Sequence, residues 1–255
     1  MDEHCGFCLK MKTETVQANQ TGCELILALD MEEKADALAL LDKIDDGLNW
    51  VKVGLQMFIR WGPAFLNQIA SRDYRIFLDL KLHDIPNTVA SAVRSLAHCP
   101  VEMLTLHASG GPEMLEAARK ARDKLSSKPK IIAVTVLTSI NEAILGEIGL
   151  QGPISKRVHA MGKMAVNAGV DGLVCSPLEL NILRENLGKE PLLITPGIRP
   201  SGSEIGDQKR VMTPSDAAQS GSSFIVVGRP ILNAVDPYAA ATQIRDELAK
   251  AHSLT

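Results

Sequence analysis

The sequence lacks a long apolar run. No hydrophobic stretch approaches the roughly 20 residues that a helix needs to cross the hydrocarbon core of a bilayer. The first twenty residues carry Asp2, Glu3 and Glu14 but have neither a basic start nor an apolar centre, so they do not match a secretory signal. The sequence therefore predicts a soluble, cytoplasmic protein with no membrane partner.

The sequence also lacks an excess of basic residues. Lys and Arg total 27 against 30 Asp and Glu, which gives a formal net charge of -3. This balance does not favour nucleic acid or an anionic membrane as a partner. An anionic small molecule would instead have to be held by a few locally placed cations.

Cysteine is sparse and shows no disulfide pattern. The five residues are odd in number and scattered, at Cys5, Cys8, Cys23, Cys99 and Cys175. This usage is typical of reduced thiols in a cytosolic protein. Cys5 and Cys8 form a lone CxxC without a further zinc ligand or a βαβ context nearby, so we interpret residues 1–20 as a flexible tail.

Short runs rich in Val, Ile and Leu alternate with longer amphipathic stretches from residue 24 onward. This alternation is typical of βα units around a parallel sheet. Eight runs fit strands, at 25–30, 50–54, 75–82, 103–107, 131–137, 172–176, 192–197 and 224–228, and helices are expected at 32–44, 112–125, 156–168 and 236–251. Without a linker or an internal repeat, the pattern predicts one α/β domain over 21–255, a single (β/α)8 TIM barrel.

Polar residues stand at the carboxyl ends of the predicted strands, where a barrel gathers its chemistry. They include Asp30, Lys52, Asp79, Lys81, His107 and Thr138. Asp79 and Lys81 are two residues apart, so a regular strand points both to one side and turns Leu80 and Leu82 to the other. If the leucines face the helices, the charges face the interior, where only a mutually neutralising array is tolerable.

Two interpretations of this array are open from the residues alone. Asp79 and Lys81 form either a structural ion pair or part of an active site with Asp84 and Lys52. Lys52 lies in the neighbouring strand, so two lysines and two aspartates can converge at the barrel mouth, which favours the active site. A lysine held between carboxylates stays protonated and can donate a proton to a developing carbanion.

A second cluster, late in the chain, predicts a phosphate site. Gly228 ends the eighth predicted strand, and Arg229 opens a helix with a proline near its first position, where backbone N–H groups and a guanidinium bind phosphate. Arg199 follows strand seven and Gln208 lies in the loop beyond, and barrels often hold phosphate after strands seven and eight. The alternative is a tight glycine turn beside a solvated arginine. The segment 198–212 has a length typical of lids and binding loops.

The residues carry a resemblance to a known family. The chain resembles the bacterial orotidine 5'-phosphate decarboxylases over about 21–255. The matching segments are 29–30, 51–54, 77–88, 105–111, 136–139, 195–199, 206–208 and 227–229. The segment 77–88, FLDLKLHDIPNT, is highly specific, and the remaining segments follow in the family's order.

The resemblance implies an activity and a set of roles. The activity is decarboxylation of orotidine 5'-phosphate to uridine 5'-phosphate in de novo pyrimidine biosynthesis, with no cofactor and no metal. Lys81, flanked by Asp79, would protonate C6 of the pyrimidine after carbon dioxide leaves. Lys52 and Asp30 would contact the ribose hydroxyls, with Lys52 also joining the charged array, and Thr138 would approach the base.

The resemblance further implies a homodimer and a set of phosphate-binding residues. Asp84, Ile85 and Thr88 would reach into the partner's site. The 5'-phosphate would be held by Arg199, Gln208, Gly228 and Arg229. Grip on this distant group would drive closure of 198–212 over the site.

Two rival functions remain. The first is a magnesium-dependent sugar-phosphate decarboxylase with the same Asp-x-Lys-x-x-Asp strand; the resemblance implies an acid on its second strand that helps to hold the metal, where this chain has Lys52. The second is a non-catalytic barrel that binds a phosphate ligand, in which Lys81 merely balances Asp79 and Asp84.

His83 and His107 are the histidines nearest to this cluster in the sequence. Neither belongs to an HxH or HExxH pattern or has a cysteine partner at ligand spacing, so a metal site is not expected. We interpret both as hydrogen-bonding positioners.

Overall fold

A computed structural model of the chain describes residues 22–44, 47–200 and 211–252. Eight parallel strands pair in chain order, and the last closes onto the first. They are β1 (Glu24–Ala28), β2 (Trp50–Gly54), β3 (Arg75–Leu82), β4 (Met103–His107), β5 (Lys130–Val134), β6 (Gly172–Val174), β7 (Leu192–Thr195) and β8 (Phe224–Val227). The predicted (β/α)8 TIM barrel is confirmed, while the predicted tail over 1–20 lies outside the described residues.

The helices follow the strands in the expected alternation. They are α1 (Lys34–Ile44), α2 (Leu55–Ala70), α3 (Pro86–Arg94), α4 (Gly111–Arg122), α5 (Glu142–Glu147), α6 (Ile154–Asn167), α7 (Leu180–Leu187), α8 (Pro214–Gln219), α9 (Arg229–Leu232) and α10 (Pro237–His252). Among the described residues, no helix is both long and apolar enough to cross a membrane.

Several predicted strands extend further than the observed ones. The runs 131–137 and 172–176 continue past the last paired residues, which belong to β5 and β6. The reason is that burial outlasts pairing: Val136 and Cys175 remain 6% and 1% exposed after their strands end. An apolar run therefore marks the packed mouth of the barrel as well as the hydrogen-bonded strand.

Alternate residues of each strand fill the barrel interior. Its apolar layer contains Ile26, Ala28, Trp50, Phe77, Met103, Ile132, Ile194, Phe224 and Val226. The intervening strand residues pack against the helices in a larger outer core. Two residues beyond Trp50, Phe77 and Met103, the interior face carries Lys52, Asp79 and Thr105 toward the carboxyl ends of the strands.

The carboxyl end of β3 departs from regular alternation. Its pairing with β4 jumps from Leu78↔Leu104 to Leu82↔Leu106, so four steps on β3 match two on β4. Lys81 lies within this bulge and has a left-handed φ of 52°. Leu82 packs against the outer core as expected, but a bulge, and not simple strand alternation, places Lys81.

Candidate active site

Four charged side chains meet at the carboxyl ends of β1, β2 and β3. Lys81 Nζ donates to both carboxylate oxygens of Asp79, at 2.8 Å each. Lys52 Nζ lies 2.9 Å from Asp30 Oδ1 and 3.7 Å from Asp79 Oδ2. The structure thus contains two lysines and two acids in a continuous array, with Asp30 as the second acid within the chain.

Asp79 is the central acid of this array, and only 9% of the residue is exposed. Burial acts to raise the pKa of its carboxyl, but the charges of Lys52 and Lys81 and hydrogen bonds from Lys81 and Thr105 outweigh burial and lower that pKa. The carboxylate is therefore ionised at neutral pH, where it anchors both ammonium groups.

Thr105 lies on β4 and is fully buried beside Asp79. Its hydroxyl donates to Asp79 Oδ1 at 2.9 Å and accepts the backbone N–H of Lys81 at 2.8 Å. Sequence reasoning missed this residue because a threonine within an apolar strand carries no charge signal. Its place on the interior face, two residues after Met103, was the available clue.

A largely apolar cavity opens beside the array. Lys52, Asp79, Lys81 and Thr138 lie on its wall. The apolar part of the lining includes Phe77, Val136, Val174, Ile194, Pro196 and Val226. A fixed ammonium group beside apolar side chains acts more strongly on a developing negative charge than it would in water.

Asp84, Ile85 and Thr88 lie outside this array, where β3 leads into α3. All three are exposed, and Ile85 is 67% exposed. Asp84 Oδ1 accepts the backbone N–H of Ile85 at 2.6 Å. Within the described part of the chain Asp84 forms no ion pair with Lys52 or Lys81.

The predicted phosphate residues follow the two adjacent strands β7 and β8. Arg199 is half-buried, its Nη1 donates to the Ile198 carbonyl oxygen at 2.8 Å, and its backbone N–H donates to Met212 at 3.0 Å. Gly228 precedes α9, and Arg229, its exposed first residue, begins a helix of a single turn. Gln208 and most of the predicted lid lie outside the described residues.

His83 and His107 stand next to each other, with ring centroids 5.4 Å apart. Burial lowers the pKa of His107, the charges of His83 and Lys81 act in the same direction, and Asp79 opposes them. Within the described residues the two rings contact each other. The expected side-chain hydrogen bonds of His83 and His107 are not observed there. The described residues contain no group of three or more His, Cys, Asp or Glu side chains that could hold a metal ion.

The family model for the orotidine 5'-phosphate decarboxylase / HUMPS family matches residues 24–244. The chain belongs to this family. The match covers all eight strands and every described residue of the array, so the resemblance seen in the sequence is confirmed.

Individual members of the orotidine 5'-phosphate decarboxylase / HUMPS family are similar over nearly their whole length. The orotidine 5'-phosphate decarboxylase of Opitutus terrae is 47% identical over 226 residues, covering 89% of this chain and 98% of that protein. That of Actinobacillus succinogenes is 48% identical over 227 residues, with the same coverage. The crystal structure of the Lactobacillus acidophilus decarboxylase is 39% identical, with a TM-score of 0.79 over 89% of this chain and 99% of that one. These relatives confirm the predicted enzyme class, a carboxy-lyase.

Proposed function

We propose that this protein decarboxylates orotidine 5'-phosphate to uridine 5'-phosphate, with Lys81 delivering the proton to C6. The observation that carries the proposal is the Lys81 ammonium group, which is fixed on both oxygens of Asp79 at the wall of the apolar cavity. When carbon dioxide leaves, the electron pair of the broken carbon–carbon bond stays on C6. The adjacent cation stabilises this pair and then transfers a proton to it.

Lys52 and Asp30 contact the ribose hydroxyls in this proposal. Their side chains form a 2.9 Å pair at the edge of the array, and 54% of the Asp30 side chain is exposed. An ammonium group and a carboxylate side by side offer a donor and an acceptor to neighbouring hydroxyls. Thr138, on the cavity wall, approaches the base.

The 5'-phosphate is held by Arg199, Gln208, Gly228 and Arg229. The support is that two arginines follow the adjacent strands β7 and β8, at the same end of the barrel as Lys81. A guanidinium group suits a phosphate because it presents several donors in one plane. The binding energy of this remote group can be used to lower the barrier at the reacting carbon.

The active enzyme in this proposal is a homodimer with shared sites. In each subunit the residues that contribute to the site of the partner are Asp84, Ile85 and Thr88. Asp84 thereby supplies a second carboxylate beside Lys81 of the other subunit. The support is their exposure in the single chain, above all that of Ile85, since a large apolar side chain in water is stabilised when a partner covers it.

The proposed setting is de novo pyrimidine biosynthesis in the cytoplasm. The scattered, odd number of cysteines suits a reducing compartment. The one-domain arrangement over 21–255 is part of the same proposal.

The magnesium-dependent rival needs an acid where this chain has Lys52. The Lys52 ammonium lies between Asp30 and Asp79, so the position that would attract a cation already contains one. Coulomb repulsion from this ammonium disfavours a divalent ion there. We therefore propose a reaction that is independent of metal.

The test is to follow the loss of orotidine 5'-phosphate absorbance with purified protein and excess chelator, and to identify uridine 5'-phosphate and carbon dioxide as products. We expect full turnover in chelator. Activity that disappears with chelator and returns with magnesium would favour the metal-dependent rival. Binding of uridine 5'-phosphate without any turnover of the orotate nucleotide would favour the non-catalytic barrel.

A further inference from the structure

We infer that Thr105 is a positioning residue that aims the Lys81 ammonium, by tying the Lys81 backbone and the Asp79 carboxylate to a single buried hydroxyl. The inference rests on the proposed role of Lys81 as proton donor. Thr105 itself is not assigned a contact with substrate.

The hydroxyl of Thr105 makes two hydrogen bonds of opposite sense. It accepts the backbone N–H of Lys81 at 2.8 Å and donates to Asp79 Oδ1 at 2.9 Å. Because its proton is directed at the carboxylate, its lone pair is left for the amide, and one hydroxyl satisfies both groups. Thr105 is fully buried, so bulk water does not compete for the two hydrogen bonds of its hydroxyl.

The bulge in β3 explains why the Lys81 amide needs this acceptor. Regular pairing between β3 and β4 is interrupted between Leu78 and Leu82, so the Lys81 N–H falls outside the regular ladder. A buried amide without a partner is costly. The Thr105 side chain takes the place of the missing carbonyl and holds Lys81 at its left-handed φ of 52°, which a non-glycine residue rarely adopts.

The second hydrogen bond fixes the other end of the lysine. Asp79 Oδ1 receives the Thr105 hydroxyl as well as Lys81 Nζ, so its carboxylate plane is set from β4 as well as from β3. The Thr105 hydroxyl therefore fixes the backbone of Lys81 directly and its ammonium group through Asp79. Removal of that hydroxyl leaves the ammonium near the cavity but free to change its direction.

A threonine can also matter only because it fills space, and three substitutions separate the two roles. Thr105→Val keeps the volume and removes the hydroxyl. Thr105→Ser keeps the hydroxyl and removes the methyl group. Thr105→Ala differs from the serine variant by the hydroxyl alone, so the Ser–Ala pair gives the same comparison if the valine variant fails to fold.

The kinetic test measures kcat and KM for orotidine 5'-phosphate in these variants. We expect Thr105→Val to lower kcat by roughly 10- to 100-fold, the size of effect expected from a small misplacement of a reacting group, with KM changed by less than about threefold. Thr105→Ser should retain most of kcat, and Thr105→Ala should resemble the valine variant. A role in packing alone predicts the reverse order, with valine active and serine impaired, and that order would overturn the inference.

A second measurement does not depend on turnover. Hydrogen exchange at the Lys81 amide should accelerate in Thr105→Val and Thr105→Ala and stay slow in Thr105→Ser. If the unaltered protein does not decarboxylate its substrate, the proposed function fails, and exchange still decides whether Thr105 holds Lys81. If the unaltered protein decarboxylates orotidine 5'-phosphate and the valine, alanine and serine variants have the same kcat, the positioning role of Thr105 is wrong and the proposed function stands.

Discussion

Lys81 and Asp79 are joined at both carboxylate oxygens, with Nζ at 2.8 Å from Oδ1 and at 2.8 Å from Oδ2. The acid is almost fully buried, whereas 29% of the lysine side chain is exposed. The Lys81 ammonium is therefore the more accessible group of the pair, and the Asp79 carboxylate is held in the barrel interior.

Replacement of Asp79 by asparagine should destabilise the fold. The change leaves Lys52 and Lys81 near one another without their shared acid, and loss of one partner from a largely buried ion pair costs about 3 kcal/mol. Urea unfolding of Asp79→Asn measures the loss in free energy. Glu116→Gln, which removes an exposed pair with Lys120 on α4, is the matched control and should change little. Equal free energies of unfolding for the two variants would show that Asp79 does not stabilise the fold through its two lysines.

Acid should destabilise the protein partly through Asp79. Its folded pKa lies below the ordinary value of 3.8, so between these two values the unfolded chain binds more protons and acid favours unfolding. The contribution is complete above about pH 3.8 and is lost as the pH falls through the folded pKa. Chemical denaturation at a series of acidic pH values should show a shallower decline for Asp79→Asn. Parallel curves for the two proteins would contradict the lowered pKa.

His107 should contribute a separate pH dependence nearer neutrality. Its folded pKa lies below the ordinary 6.5, since burial and the neighbouring positive groups disfavour the imidazolium. The unfolded chain again binds more protons between the two values, so stability falls as the pH drops below about 6.5. Thermal unfolding between about pH 5 and pH 7.5 should show this decline in the unaltered protein and a smaller one in His107→Asn. An unchanged slope in the variant would rule out this origin.

Arg229→Ala should weaken the use of a phosphorylated substrate. We expect kcat/KM for orotidine 5'-phosphate to fall by about 10- to 100-fold, because the proposed charge-assisted contact to the phosphate is lost. Orotidine, which has no phosphate, is the internal control, and its much slower turnover should be equal in the two proteins. An equal loss with both substrates would mean that Arg229 acts on the barrel and not on the phosphate.

Mixed dimers test the proposal that two subunits share each site. Lys81→Ala and Asp84→Asn should each have little activity alone. If Asp84 serves the partner's site, a heterodimer of the two variants rebuilds one intact site from Lys81 of one protomer and Asp84 of the other. Random reassociation after unfolding should then restore about a quarter of the native specific activity. No recovery in dimers proven to be mixed would place Asp84 in the site of its own subunit.

Much of the architecture could be predicted from the sequence because strand alternation and burial share one cause. Trp50 and Lys52, or Phe77 and Asp79, lie two apart and both face the interior, so the apolar pattern also indicated where the charges lie. The same logic failed at strand ends, where Val136 stays buried after pairing has stopped.

The contacts that escaped prediction depend on irregular backbone or on pairing across strands. The two-residue spacing of Asp79 and Lys81 indicated the correct pair, but the bulge and the left-handed backbone of Lys81 have no local signal in the sequence. Thr105 acts through its register with β3, which becomes visible only when the two strands are paired. Asp30 joins Lys52 for the same reason, because the pairing of β1 with β2 brings Ala28 opposite Lys52.

The most direct test of the central claim is the turnover of Lys81→Ala, measured together with its affinity for uridine 5'-phosphate. Loss of the only proposed proton donor should lower kcat by at least about 1000-fold, while the folded variant still binds the product. If Lys81→Ala decarboxylates orotidine 5'-phosphate within about tenfold of the native rate, Lys81 does not protonate the carbanion and the proposed chemistry is wrong.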